Sequence, residues 1–377
     1  MIYMDNAATT RIHPEVVNVM LPYLGAKFAN PSGIYTFAKG VRKDVERARH
    51  IIASTIGAMP EEIYFTSGGT EADNWALKAA AREHDGGNVI STQVEHKAIL
   101  ESLNDLENNG IRTTKMPVDK YGMIELDRLQ KLLRSDTFLI SVMAANNEIG
   151  TIMPFAQIGR IARSRKILFH TDAVQAYTNI PINVNSMYID MLSVSAHKIR
   201  GPKGVGFLYI RKGCVRTPFI NGGSQEMGMR AGTENVAGII GLAKAAEIAY
   251  TNMKARTNNE IRKRDYLIDK ILTNIDGVTL NGHQSKRLPN NANFTIKGVN
   301  GASMVLMLDQ QGICASAGSA CTSASAKPSH VLKAIGMSDD DARSTLRLTI
   351  NEEITYQDID YVVRCIKSNV ERARKEM

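Results

Sequence analysis

The sequence predicts an α/β protein with a mainly parallel sheet in a large domain and a smaller α+β domain after it. Three observations lead there. Short apolar runs alternate with amphipathic helical patterns between residues 63 and 210. Several of those runs are apolar on both faces, as strands covered by helices on each side must be. The character then changes near residues 252–256, where long polar helical patterns replace the strand-rich ones.

In chain order, the strands are expected at 63–66, 89–92, 138–143, 167–171, 191–195 and 204–210. Helices are expected between them, including 71–84 and 155–165, and strand–helix alternation of this kind implies right-handed crossovers. The polar helix 258–274 opens the second domain. The expected division is a large domain over 14–254 and a small one over 255–377.

Composition excludes several classes. The 377 residues are 44% hydrophobic and 22% charged, too apolar for a disordered chain. Four cysteines, Cys214, Cys314, Cys321 and Cys365, are too few for a disulfide scaffold and form no CxxC pair. No metal site is therefore expected, and a reducing cytoplasm is the natural compartment. The first residues carry neither a basic nor an apolar signal-peptide region, so no secretory signal is expected. The most apolar helical stretch, 236–250, is interrupted by Lys244 and Glu247, so no membrane span is expected. The net charge of +8 is scattered. Its one cluster, 254–264, alternates with Asn and Glu, and no direct nucleic-acid partner is expected.

Four segments carry chemistry. Phe65-Thr66-Ser67-Gly68-Gly69-Thr70-Glu71 is a strand end, a glycine turn and a helix start, a pattern that suits phosphate. It is also an ordinary βα turn when taken alone. His170-Thr171-Asp172-Ala173-Val174-Gln175 places a carboxylate at a strand end, either to pair with a cation or to cap a helix. Ser195-Ala196-His197-Lys198 closes another strand with a lysine able to form a Schiff base, or merely to snorkel from the sheet edge. Together the three supply an anion cradle, an acid for a pyridine nitrogen and an amine for an aldehyde, the needs of a pyridoxal phosphate enzyme. The fourth, Cys314-Ala315-Ser316-Ala317-Gly318-Ser319-Ala320-Cys321-Thr322-Ser323, is a run of small residues with no apolar period. It reads as a loop exposing the Cys321 thiol. Cys314 is expected to face a core, and Cys214 and Cys365 to be structural.

With these motifs the chain resembles the cysteine desulfurases, pyridoxal phosphate enzymes of the class V aminotransferase group of fold-type I. The resemblance spans essentially the whole chain. It includes Tyr3-Met4-Asp5-Asn6-Ala7-Ala8-Thr9-Thr10, Asn30-Pro31-Ser32, Val94-Glu95-His96-Lys97 and Asn146-Asn147-Glu148-Ile149-Gly150-Thr151. It continues through Met229-Arg230-Ala231-Gly232-Thr233-Glu234-Asn235, the Cys321 loop and Arg347-Leu348-Thr349. The resemblance implies that residues 1–13 join the small domain, which carries the Cys loop, about 314–328.

By the same resemblance, Lys198 holds the cofactor aldehyde, Asp172 pairs with the ring nitrogen, Gln175 bonds the ring hydroxyl and His96 stacks on the ring. Gly69, Thr70, Ser195 and His197 bind phosphate, and Thr233 completes that site from a second subunit, which implies a homodimer. Arg347, assisted by Asn147, clamps the substrate carboxylate. L-cysteine becomes L-alanine, and its sulfur passes to Cys321 as a persulfide, Lys198 moving the α-proton and His96 serving as a candidate acid/base. The acceptor is an iron–sulfur scaffold or a tRNA-thiolation enzyme. A selenocysteine lyase, or another lyase or aminotransferase of the same fold, is the alternative. Two positions depart from the family pattern. Tyr35 replaces a usual histidine after Asn30-Pro31-Ser32. Asn351-Glu352-Glu353 adds two carboxylates expected near the site mouth, where they bear on partner choice or substrate access.

Overall fold

A computed structural model describes residues 1–317 and 328–375. Its centre is a seven-stranded sheet. The strand order is Ile63–Thr66, Gly206–Ile210, Met191–Ser195, Leu168–Asp172, Thr137–Ser141, Asn88–Thr92 and Arg112–Met116. Gly206–Ile210 is antiparallel to both neighbours, and every other adjacent pair is parallel. The reversal has a simple cause: residues 196–205, between the Met191–Ser195 and Gly206–Ile210 strands, are too few for a crossover helix. Arg112–Met116 is the strand that apolar patterning does not announce. It is a polar edge strand, Arg-Thr-Thr-Lys-Met, and charge on an edge discourages pairing with another chain.

Helices cover both faces. Gly69–Arg82 presents Ala72, Ala76, Ala79 and Ala80, and these small side chains let the helix lie close to the sheet with Trp75 fully buried. Thr36–Ile56, Phe155–Ser164 and Val236–Thr251 pack on the opposite face around Ile52, Ile158, Phe169, Phe207 and Leu242.

A second core gathers around a three-stranded antiparallel sheet, Thr345–Thr349, Asn291–Ile296 and Val278–Leu280. The helices Met253–Asn274, Gly301–Gln310 and Tyr356–Lys375 enclose it. Met4 is fully buried in this core, and Ile2–Tyr3 pairs with Ile313–Cys314, so the N-terminus belongs to it. Leu288, Val331, Leu332, Ile335 and Ala342 instead pack into the first core. No described helix is long and apolar enough to cross a membrane. The parallel strands deliver Thr66, Asp172 and Ser195 to one edge of the large sheet, and α/β sheets bind ligands at that edge.

Candidate active site

The glycine turn is built by close packing. Gly68 has φ +152°, and the Gly69–Arg82 helix starts directly after it. Gly206 backs the turn: a Cβ there would stand 2.3 Å from the Val194 carbonyl oxygen and 2.9 Å from the Gly68 Cα. A Cβ on Gly69 would meet Val174 Cγ2 at 2.8 Å. Glu71 reaches back to accept from the Ser67 N–H at 2.9 Å, and the Arg230 fork holds that carboxylate at 2.8 and 3.1 Å. Glu226 accepts from the Phe65 N–H at 2.8 Å and is itself gripped by Arg49 at 2.8 and 3.0 Å. Two buried or half-buried ion pairs therefore fix the turn from behind. Sequence reasoning missed Glu226, Arg49 and Gly206, because their role depends on long-range contacts.

Gly69, Thr70, Ser195, His197, Asp172, Gln175, His96 and Lys198 line one cleft of about 340 Å³, together with Asn147 and Arg347. His197 Nδ1 is 3.1 Å from the Thr9 hydroxyl. Burial, with Lys198 and Lys203 nearby, pulls its pKa down to about 4, so the imidazole is neutral at physiological pH. His96 caps the Lys97–Asn108 helix, its Nδ1 accepting from the Ala98 N–H at 3.2 Å. With Nδ1 accepting, Nε2 is the ring nitrogen left to carry a proton toward the cleft.

Asp172 ends its strand and is 6% exposed, and its Oδ1 accepts from the Val174 N–H at 2.9 Å. Burial raises its pKa, while His96, that N–H and Lys198 favour the charged form. The N-terminal segment forms one wall. Lys198 Nζ donates to the carbonyls of Ala7 and Ala8, both at 2.6 Å, and Gln175 Nε2 donates to Ala7 at 3.0 Å. The Asp5–Thr10 motif thus touches the site directly, a role that its residue types do not advertise.

Arg347, on the Thr345–Thr349 strand, is 1% exposed. Nη2 donates to Asp5 Oδ1 at 2.7 Å and Nη1 to the Asn147 carbonyl at 3.2 Å. Nε is buried without a partner. The guanidinium is thus oriented by Asp5 and the Asn147 carbonyl and keeps Nε without a bond, a donor left for a carboxylate in the cleft. Asn147 meets Arg347 through its backbone carbonyl and is among the residues lining the cleft.

Other predicted positions lie elsewhere. Cys321 is outside the described residues. The flanks of its segment are anchored: Ser316 pairs with Arg347, while the Ser329 hydroxyl donates to buried Glu148 at 2.5 Å. Cys314 is half-buried beside Tyr3 rather than fully in a core. Cys365 is buried, and burial together with Asp190 pushes the Cys214 thiol up to about 12. Thr233 lines a separate pocket with Ser67 and Arg230, away from Asp172. Tyr35 precedes the Thr36–Ile56 helix without a side-chain capping bond and is exposed outside the cleft. Glu352 and Glu353 both pair with Arg200, two residues after Lys198. Their carboxylates are spent on that arginine, which bridges the large sheet and the second core.

The chain matches the aminotransferase class-V family over residues 2–362. It is 47% identical over 375 residues to a cysteine desulfurase IscS of Methanosarcina thermophila, covering 99% of this chain and 93% of the relative. A solved NifS-like protein superposes with a TM-score of 0.92 at 35% identity, covering 98% of this chain and 99% of that one. SspA, solved in complex with cysteine, gives 0.84 at 35% identity, covering 94% and 100%.

Proposed function

The chain belongs to the class-V aminotransferase family, and from that premise we propose that it is a cysteine desulfurase that uses pyridoxal 5′-phosphate. The observation that carries the reading is the meeting in one cleft of Asp172 from a strand end, Lys198 from the short helical turn after Met191–Ser195, and Arg347 from the middle of Thr345–Thr349. The residues present fit the cofactor. The glycine turn has no room for side chains at Gly69 or Gly206, and Ser195 and neutral His197 stand beside it as phosphate donors. Asp172 is the acid for a protonated ring nitrogen, Gln175 a donor for the ring hydroxyl, and His96 the ring's stacking partner. Thr233 completes the phosphate site from a second copy in a homodimer.

When bound, pyridoxal phosphate supplies an electrophilic aldehyde and an electron sink for the substrate's α-carbon. The protein supplies the rest. Arg347 and Asn147 hold the L-cysteine carboxylate. Lys198 would hold the cofactor at its aldehyde and move the substrate's α-proton, with His96 Nε2 as the acid/base near the sulfur. The Cys321 thiolate attacks the substrate sulfur; an S–S bond forms as the C–S bond breaks, and the three-carbon remainder leaves as L-alanine. The persulfide sulfur goes to an acceptor of iron–sulfur assembly or tRNA thiolation in the cytoplasm.

The test is alanine and sulfide release from L-cysteine with a reductant, for the wild type and Cys321→Ala. Equimolar products that vanish in the variant are expected. Undiminished alanine formation by Cys321→Ala would refute the persulfide role. Full turnover of that variant on selenocysteine would assign the chain to the lyases instead.

A further inference from the structure

Asp73 lies one turn into the Gly69–Arg82 helix and is 1% exposed on the floor of the same cleft. Its Oδ1 has no hydrogen-bond partner. Ser193 faces the carboxyl, and Ser193 Oγ lies 2.9 Å from His170 Nε2. His170 Nδ1 in turn is 2.9 Å from Ser141 Oγ, so a polar chain runs from the cleft floor through three adjacent strands. The ionisable groups facing Asp73 are Asp172 at the end of Leu168–Asp172, Glu95 after Asn88–Thr92, and His170, whose Nε2 is 3.8 Å from Oδ1. Two are acids. The third is kept neutral, because burial pulls its pKa down to about 3. None of the described ion pairs gives Asp73 a lysine or arginine.

A buried carboxylate with an unbonded oxygen and no cation is unstable as an anion. Burial raises Asp172 too, but it has what Asp73 lacks, an N–H bond and His96 and Lys198 facing it. The two acids divide their roles accordingly. We propose that Asp73 is a positioning residue: a neutral carboxylic acid that ends the Ser193–His170–Ser141 chain and leaves Asp172 as the single anion for the cofactor's ring nitrogen. The inference rests on the pyridoxal phosphate reading of the cleft. Burial, and then the charge of Asp172, push the Asp73 carboxyl well above the usual carboxylate range, in the same direction.

The experiment uses the full chain as wild type, Asp73→Asn, Asp73→Ala and Asp172→Asn, stripped of cofactor and titrated with pyridoxal phosphate. Asparagine copies a neutral acid. Asp73→Asn is expected to bind within about twofold of wild type with the same visible band, while Asp73→Ala loses about tenfold. Asp172→Asn loses at least as much. If Asp73→Asn binds as poorly as Asp73→Ala, a charge is needed at 73 and the proposal is wrong. It is equally wrong if Asp73→Ala binds like wild type.

A second arm needs no cofactor. A carboxyl whose pKa is raised by folding stabilises at low pH, and that stability is withdrawn as pH rises through the folded value. The thermal midpoint of the stripped wild type should therefore fall more than that of Asp73→Asn as pH rises from about 4, the unfolded carboxyl value, through neutrality. Parallel curves would overturn the proposal. Glu95 and Asp172 are present in both proteins and largely cancel in the comparison. A wild type that takes up no pyridoxal phosphate would instead refute the reading of the cleft, with the stripped-protein curves still deciding Asp73.

Discussion

Replacing Arg347 with lysine separates carboxylate recognition from the structural work of the same side chain. Arginine at 347 pairs with Asp5 at 2.7 Å, donates to Asn147 at 3.2 Å and keeps Nε unbonded at the cleft. Lysine keeps the positive charge, so Asp5, with a side chain 16% exposed, retains its counter-ion. It lacks the planar fork, so a substrate carboxylate loses one of two parallel charge-assisted bonds. Such a bond contributes about 1.5–3 kcal/mol, which corresponds to a loss of about 10- to 150-fold in kcat/KM for L-cysteine. Because the carboxylate is held before and during the chemistry, the loss should fall mainly on KM. Loss of the Asn147 bond costs about 1 kcal/mol of stability, too little to unfold the chain. The assay is steady-state alanine formation beside a thermal melt. A kcat/KM within about twofold of wild type would refute the clamp assignment, since a point charge would then serve as well as the fork. Arg347→Leu is the weaker experiment, because it leaves Asp5 without its partner and mixes binding with folding.

Gly206→Ala tests the packing behind the phosphate turn. Its added Cβ meets backbone atoms of Val194 and Gly68 that cannot yield like a side chain, so a stability loss of about 1–3 kcal/mol and weaker pyridoxal phosphate binding are expected. Gly40→Ala, with nothing within 4 Å of its new Cβ, is the control for a thermal melt and a cofactor titration; a harmless Gly206→Ala would remove Gly206 from the site. His170 tests the buried polar chain. Its folded pKa, about 3, lies below the unfolded value, so the stability it contributes is present above about pH 6.5 and is lost as pH falls toward 3. That amounts to about 2 kcal/mol by pH 5, and His170→Gln should flatten the acid limb of a denaturation curve; an unchanged slope would show that His170 is protonated in the folded protein.

Much of this was legible in the chain itself. Local signals carried the strands 63–66 and 191–195, whose bounds match the structure, because short apolar runs bounded by turn residues have few other solutions. Asp172 and Lys198 were legible for a related reason: a charged residue closing an apolar strand lands at the sheet edge whatever the rest of the fold does. The phosphate roles of His197 and Ser195 were not legible in residue type and came only with the family resemblance. What the tertiary structure decided is everything that depends on distant segments arriving together. The Ala7 and Ala8 carbonyls reach Lys198 only because Met4 is buried in the second core. Glu352 and Glu353 look free at a site mouth until Arg200 is placed between them. Asp73 reads as an ordinary polar helix residue until helix packing buries it beside Asp172, where loss of solvent decides its charge. Periodicity and turn chemistry act within a few residues and are written in order along the chain. Burial and electrostatics act through space, and they are set only once the chain has folded.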